Sequence, residues 1–185
     1  MNKVYFPNLN GLRFIAAFLV VLHHLAQFND ILGLNTTLSI PFVNIVGKLG
    51  VVLFFVLSGF LITYLLLAEE EHTGSISVKN FYIRRVLRIW PLYYTLIFLG
   101  FFVFPHIDFL HVNLQGSDLT PVGISTNFFL YLFFLPNLAN VLYGPVMYIS
   151  QTWSIGVEEQ FYLLWPVLMK KIKNRYLLLF GVIFL

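Results

Sequence analysis

Arg13 and His24 are the first residues in this chain whose types could do chemistry together. They stand 11 positions apart. On one α-helix that is about 16 Å along the axis and almost three whole turns, so both project from nearly the same face. They bracket an apolar run, and a cation and an imidazole on one face of such a run are costly unless they meet a polar cavity. An imidazole there can take a proton from a hydroxyl, the step that acyl transfer to an alcohol requires. The alternative is that Arg13 snorkels to one interface while His23 and His24 cap the other end of the run.

A second constellation is Trp153-Ser154-Ile155-Gly156-Val157-Glu158-Glu159-Gln160-Phe161-Tyr162. Glu158 and Tyr162 are four residues apart and share a helical face. A carboxylate inside a membrane segment is a functional candidate by default. Glu158 is the choice for the inward role, orienting His24 and stabilising its protonated form. The alternative is that both acids sit in interfacial water and favour the helix N-terminus. A third constellation is Arg84-Arg85-Val86-Leu87-Arg88, whose three arginines fall within an arc of about 100° on a helix. A clustered cationic face beside a membrane suits phosphates, either those of a phosphorylated acyl donor or those of anionic lipid. Ser58-Gly59, mid-way along an apolar run, reads as a close helix-packing point. Ser58 as a nucleophile lacks a visible triad partner. His72, His106 and His111 read as loop residues, with no metal-ligand spacing, and no metal site is expected. The chain has no cysteine, which excludes disulfides and thiolate chemistry.

The elements that must position these groups are membrane spans. Of 185 residues, 59% are hydrophobic and only 10% charged, and the mean hydropathy is +0.84. A soluble domain of this size needs a more polar skin. The 18% aromatic share, with 21 Phe, suits a lipid-facing surface. The expected architecture is all-α, a polytopic transmembrane helix bundle. Its spans are expected at about 12–28, 49–68, 89–105 and 153–169, with a further incomplete one at 176–185. The run 127–136 is too short to cross and is expected to be re-entrant or interfacial. Pro91 should fall in the first turn of the third span, where a missing N–H costs little. Lys3 ahead of an apolar run could suggest a secretory leader, but Arg13, His23, His24 and the lack of a small-residue cleavage site argue against one. Basic residues at 84–88 and 170–175 place those loops and the N-terminus in the cytoplasm. A net charge of +3, held mostly beside apolar runs, makes nucleic acid an unlikely partner and the lipid bilayer the expected one.

Four motifs, in order and covering nearly all of the chain, resemble the acyltransferase 3 family of membrane acyltransferases. They are Leu9-Asn10-Gly11-Leu12-Arg13 through His24; Phe54-Phe55-Val56-Leu57-Ser58-Gly59-Phe60; Arg84-Arg85-Val86-Leu87-Arg88-Ile89-Trp90-Pro91-Leu92-Tyr93-Tyr94; and Trp153 through Pro166. Asn10 stands where many members carry Asp, and His23 where Tyr is common. The resemblance implies an enzyme that moves an acyl group, usually acetyl, from cytoplasmic acyl-CoA to a hydroxyl of an envelope carbohydrate. It implies His24 as the catalytic base, Arg13 as its paired cation and Glu158 as the acid of the fourth motif. Arg85 and Arg88, with Arg84 beside them, become the donor-binding cations. Acyl-CoA is then a substrate, and no tightly bound cofactor is expected. The family domain has about ten spans, so this chain corresponds to its N-terminal half. A separately encoded second half is an expected partner. The expected location is the plasma membrane. Two other readings stay open on the residues alone: a small-molecule permease or exporter, in which buried charges mark a transport path, and an inactive membrane fragment.

Overall fold

The computed structural model describes residues 8–31, 41–107, 121–146, 148–172 and 174. Among them the helices are α1 (Leu9–Ile31), α2 (Pro41–Thr73), α3 (Val78–Phe98), α4 (Pro121–Leu132), α5 (Pro136–Tyr143) and α6 (Trp153–Lys171), and no strand occurs. Lipid leaves a backbone no water to bond, so apolar segments of this length satisfy their own N–H and C=O groups as helices. Three helical stretches are long and apolar enough to cross a membrane: Leu9–Asn29, Ile45–Thr73 and Val78–His106. Only 11%, 17% and 17% of their most apolar windows are buried, so most of that surface faces outward. Phe14, Leu87 and Leu164 are among the large side chains left exposed. This is a membrane protein.

The helices run longer than the apolar runs that betray them. α2 continues through Glu69–Glu71 to Thr73 and stops at Gly74, whose φ of 77° and N–H to the Glu70 carbonyl (2.8 Å) make a left-handed cap. α3 starts at Val78 rather than near Ile89, so Arg84, Arg85 and Arg88 lie on its first turns and not in a loop. Pro91 consequently sits in the helix interior rather than its first turn. It removes one hydrogen bond, to the Leu87 carbonyl, within a helix held by its packing. His72 lies in the last turn of α2 and His106 in a 3-10 turn, while His111 and 176–185 fall outside the described residues. α6 is 19 residues long but carries Glu158, Glu159 and Lys170, so composition alone does not mark it as a span.

The chain divides into two compact units, Met1–Leu65 and Leu66–Leu185, with the boundary inside α2. In the first, α1 meets α2 at two glycines. A Cβ on Gly47 would overlap Cβ and Cγ of His23, and one on Gly50 would lie 2.9 Å from the Ala16 carbonyl oxygen. Small residues let helix backbones approach, and here they are Gly47 and Gly50. The expectation of close packing at Ser58-Gly59 is not met among the described residues, because a Cβ on Gly59 meets nothing within 4 Å.

In the second unit α3 and α6 run antiparallel. The Tyr82 hydroxyl donates to the Leu163 carbonyl (2.6 Å), and further along α3 Trp90 Nε1 donates to Glu159 Oε2 (3.2 Å). Past Phe98, α3 widens into a π-helical turn, Leu99–Val103, whose Gly100 lies against Ile149. α4 breaks off after Leu132, and Pro136 opens α5 three residues later. The break leaves carbonyls in an apolar setting, and side chains answer three of them. Tyr93 donates to the Tyr131 carbonyl (2.6 Å), Tyr94 to that of Leu132 (3.2 Å) and Gln160 to that of Phe134 (2.9 Å). Phe134 holds a left-handed φ of 58° because its ring stacks on Tyr93 at 4.4 Å. Tyr93, Ile97, Tyr131, Phe134, Ala139 and Ile149 form the core of this unit.

Candidate functional site

α1 carries both Arg13 and His24. The stripe it turns to α2 contains Ala16, Val20 and His23. His23 is therefore the histidine that packs, while His24 lies beside the stripe on the arc of Arg13. Both Arg13 and His24 are half-buried. His24 Nδ1 lies 3.0 Å from Gln27 Oε1. An amide oxygen only accepts, so this contact suits the tautomer that carries its proton on Nδ1 and its lone pair on Nε2. Gln27, one turn beyond His24, was not singled out from the sequence. Its i,i+3 spacing was the available signal.

The three arginines of α3 have three different environments. Arg84 pairs with Glu69 of α2 at 3.5 Å, and Glu69 also accepts the Ser77 N–H at 3.2 Å, so this cation closes the α2–α3 turn. At 61% exposure of its side chain the pair is weakly stabilising. Arg85 is half-buried, with its guanidinium carbon 5.4 Å from the ring centroids of both Phe81 and Tyr162. Arg88 is exposed. Among the described residues, Arg85 and Arg88 therefore remain as adjacent cations with no ion pair to a carboxylate.

On α6, Tyr162 donates to Glu158 Oε2 at 2.8 Å. Glu158 is half-buried, whereas Glu159 is 4% exposed. Glu159 belongs to the buried stripe of α6 with Gly156, Tyr162, Pro166 and Met169. Its Oε2 takes the Trp90 N–H, and its Oε1 has no hydrogen-bond partner among the described residues. The deeply buried acid of the pair is thus the one not chosen from the sequence; the phase of the buried stripe was the signal for it. Among the described residues no group of His, Asp or Glu is arranged to hold a metal ion.

The sequence pattern of the acyltransferase 3 family, described as an acyltransferase domain, matches residues 6–185. The chain belongs to the acyltransferase 3 family. A peptidoglycan O-acetyltransferase, OatA, of Listeria monocytogenes serovar 1/2a is 35% identical over 185 residues, covering 96% of this chain and 27% of that protein. A Bacillus subtilis (strain 168) protein named "Putative peptidoglycan O-acetyltransferase YrhL" is 30% identical, covering 89% of this chain and 24% of its own length. An O-acetyltransferase of Staphylococcus aureus (strain COL), its name similarly qualified, is 32% identical over 93% of this chain and 26% of its own length. This acyltransferase 3 chain thus spans about a quarter of the length of the curated relatives it matches. No solved structure matches it.

Proposed function

We propose that this chain supplies the base and the donor-binding cations of a membrane O-acyltransferase acting on cell-envelope glycans. Membership of the acyltransferase 3 family over residues 6–185 carries this reading. Relatives named for peptidoglycan O-acetylation point to a glycan hydroxyl as acceptor and to acetyl as the group moved. Acyl-CoA is the donor in this reading, because Arg85 and Arg88 offer adjacent cations suited to its phosphates. The enzyme lies in the plasma membrane with its N-terminus and the basic ends of α3 and α6 in the cytoplasm, following the positive-inside rule.

His24 Nε2 takes the proton of the acceptor hydroxyl as its oxygen attacks the acyl carbonyl, and because this orientation puts His24 toward the outer face, the acyl group crosses from the donor's side to reach it. Gln27 holds the imidazole in the tautomer this requires. Release of the acyl group breaks the C–S bond of the donor, and the coenzyme thiolate ends as the thiol, in balance with the proton that His24 removed from the hydroxyl and gives up. Arg13, on the same arc as His24 but about 16 Å from it along α1, lies too far from that carbonyl to touch it and acts as a second cation of the path rather than at the reacting atoms.

The test is acyl-CoA-dependent O-acetylation of peptidoglycan in membranes from cells expressing the protein. His24→Ala should lower the rate by a factor on the order of 10² or more, the range for a positioned acid–base group. Full activity of His24→Ala at normal membrane abundance would reject His24 as the base.

A further inference from the structure

Arg85 has five N–H donors, and among the described residues no group accepts a hydrogen bond from it. What holds it is aromatic. The Phe81 and Tyr162 rings meet edge to face, with centroids 6.5 Å apart and planes at 80°, and the guanidinium carbon sits 5.4 Å from each. The cation is lodged in a two-walled corner, one wall from α3 itself and the other from α6. The second wall is fixed in turn. The Tyr162 hydroxyl donates to Glu158 Oε2 at 2.8 Å, and Tyr162 is 4% exposed. Close by, the Tyr82 hydroxyl ties α3 to the Leu163 carbonyl on α6 at 2.6 Å.

Such an arrangement does something a salt bridge could not. Rings at 80° to one another can have at most one of them stacked on a planar guanidinium, so the contact leaves part of the N–H fork available, whereas a bidentate carboxylate would consume a whole edge of it. Arg84 shows the contrast one residue away, because its charge is spent on Glu69. Arg88, exposed on the same face, has no aromatic wall among the described residues and carries a cation with more freedom.

We propose that Tyr162 is a positioning residue for the donor site: its ring and that of Phe81 orient Arg85 with its N–H edge free for a phosphate of the acyl donor, and Glu158 acts by holding the Tyr162 ring in place. The proposal rests on the donor reading of Arg85 given above. It moves Glu158 from an effect on His24 to an effect on donor affinity.

The experiment measures binding of coenzyme A alone to the purified protein in lipid nanodiscs, with acetyl-CoA KM and kcat measured beside it. Tyr162→Leu removes the wall and should weaken coenzyme A binding and raise the acetyl-CoA KM by about tenfold, the effect of losing a partly desolvated cation–π contact, with kcat changed by less than about twofold. Tyr162→Phe keeps the ring and loses its tie to Glu158. It should recover most of the affinity and leave a deficit of about threefold, a deficit that Glu158→Gln should not enlarge further in the same background. Should Tyr162→Leu fail to fold, Phe81→Leu removes the other wall and must show the same rise in KM. Arg85→Ala should abolish the effect of Tyr162→Leu, because the ring then has nothing to orient.

A loss confined to kcat, or a Tyr162→Leu effect that persists in the Arg85→Ala background, would overturn the proposal. If Arg85→Ala weakens coenzyme A binding but neither wall variant does, the positioning role fails while the donor site stands. If Arg85→Ala leaves coenzyme A binding intact, the donor reading itself fails and the positioning role falls with it.

Discussion

Glu158 and Glu159 are one helical step apart, and a step of about 100° gives them different work. Glu158 holds the Tyr162 hydroxyl, while Glu159 lies in the buried stripe with its Oε2 on the Trp90 indole. A hydrogen bond to a buried carboxyl group is worth more than an ordinary one, because losing it strands a desolvated polar atom. Trp90→Phe should therefore lower stability by about 2 kcal/mol, read from thermal unfolding in detergent. Trp90→Phe combined with Glu159→Leu should recover part of that loss, since both stranded groups are then gone. Additive losses in the double variant would mean that this bond does not connect the two residues energetically. The i,i+4 pairing of Glu158 with Tyr162 was legible in the sequence, because it is local to one helix. The burial of Glu159 was legible only as helical phase, and its partner Trp90 lies 69 residues away in the chain.

Helices approach one another where a missing side chain leaves room. Gly47 and Gly50 on α2 receive His23 and Ala16 of α1. Gly47→Ala would force Cβ into the His23 side chain, and over-packing of this kind costs about 1–3 kcal/mol. Gly59→Ala meets open space and should be neutral or stabilising by up to about 1 kcal/mol, the usual gain for a helix interior. Measured side by side by thermal unfolding, equal effects of the two substitutions would contradict the placement of the α1–α2 contact at Gly47. The sequence draws attention to Ser58-Gly59 because it interrupts the longest apolar run. Which glycine faces a neighbour depends on where that neighbour lies, and one helix's own pattern does not carry that information. The break between α4 and α5 is similar. Pro136 signals it in the sequence, but the Tyr93, Tyr94 and Gln160 donors that make it tolerable come from two other helices.

Across the whole molecule, basic residues gather at the start of α3 and the end of α6, with Lys170 and Lys171 exposed. The positive-inside rule then puts the α2–α3 turn in the cytoplasm and the segment between α5 and α6 on the opposite side. The native chain has no cysteine, so single cysteines report position without background. Ser75→Cys should resist a membrane-impermeant maleimide in intact cells and react after lysis, while Pro145→Cys should react in both. Labelling of Ser75→Cys in intact cells would invert the topology. The all-helical class, the membrane setting, the arc shared by Arg13 and His24, and membership of the acyltransferase 3 family were all determined by the sequence alone. Each follows from composition, from periodicity within one helix, or from motifs in a row. Only the tertiary structure decided that Arg84 is taken by Glu69, that Arg85 stands in an aromatic corner, that His23 rather than His24 packs against α2, and that Glu159 is the deeply buried acid. Those four facts rest on contacts between different helices, and a residue's partner across such an interface is set by the packing of both surfaces at once.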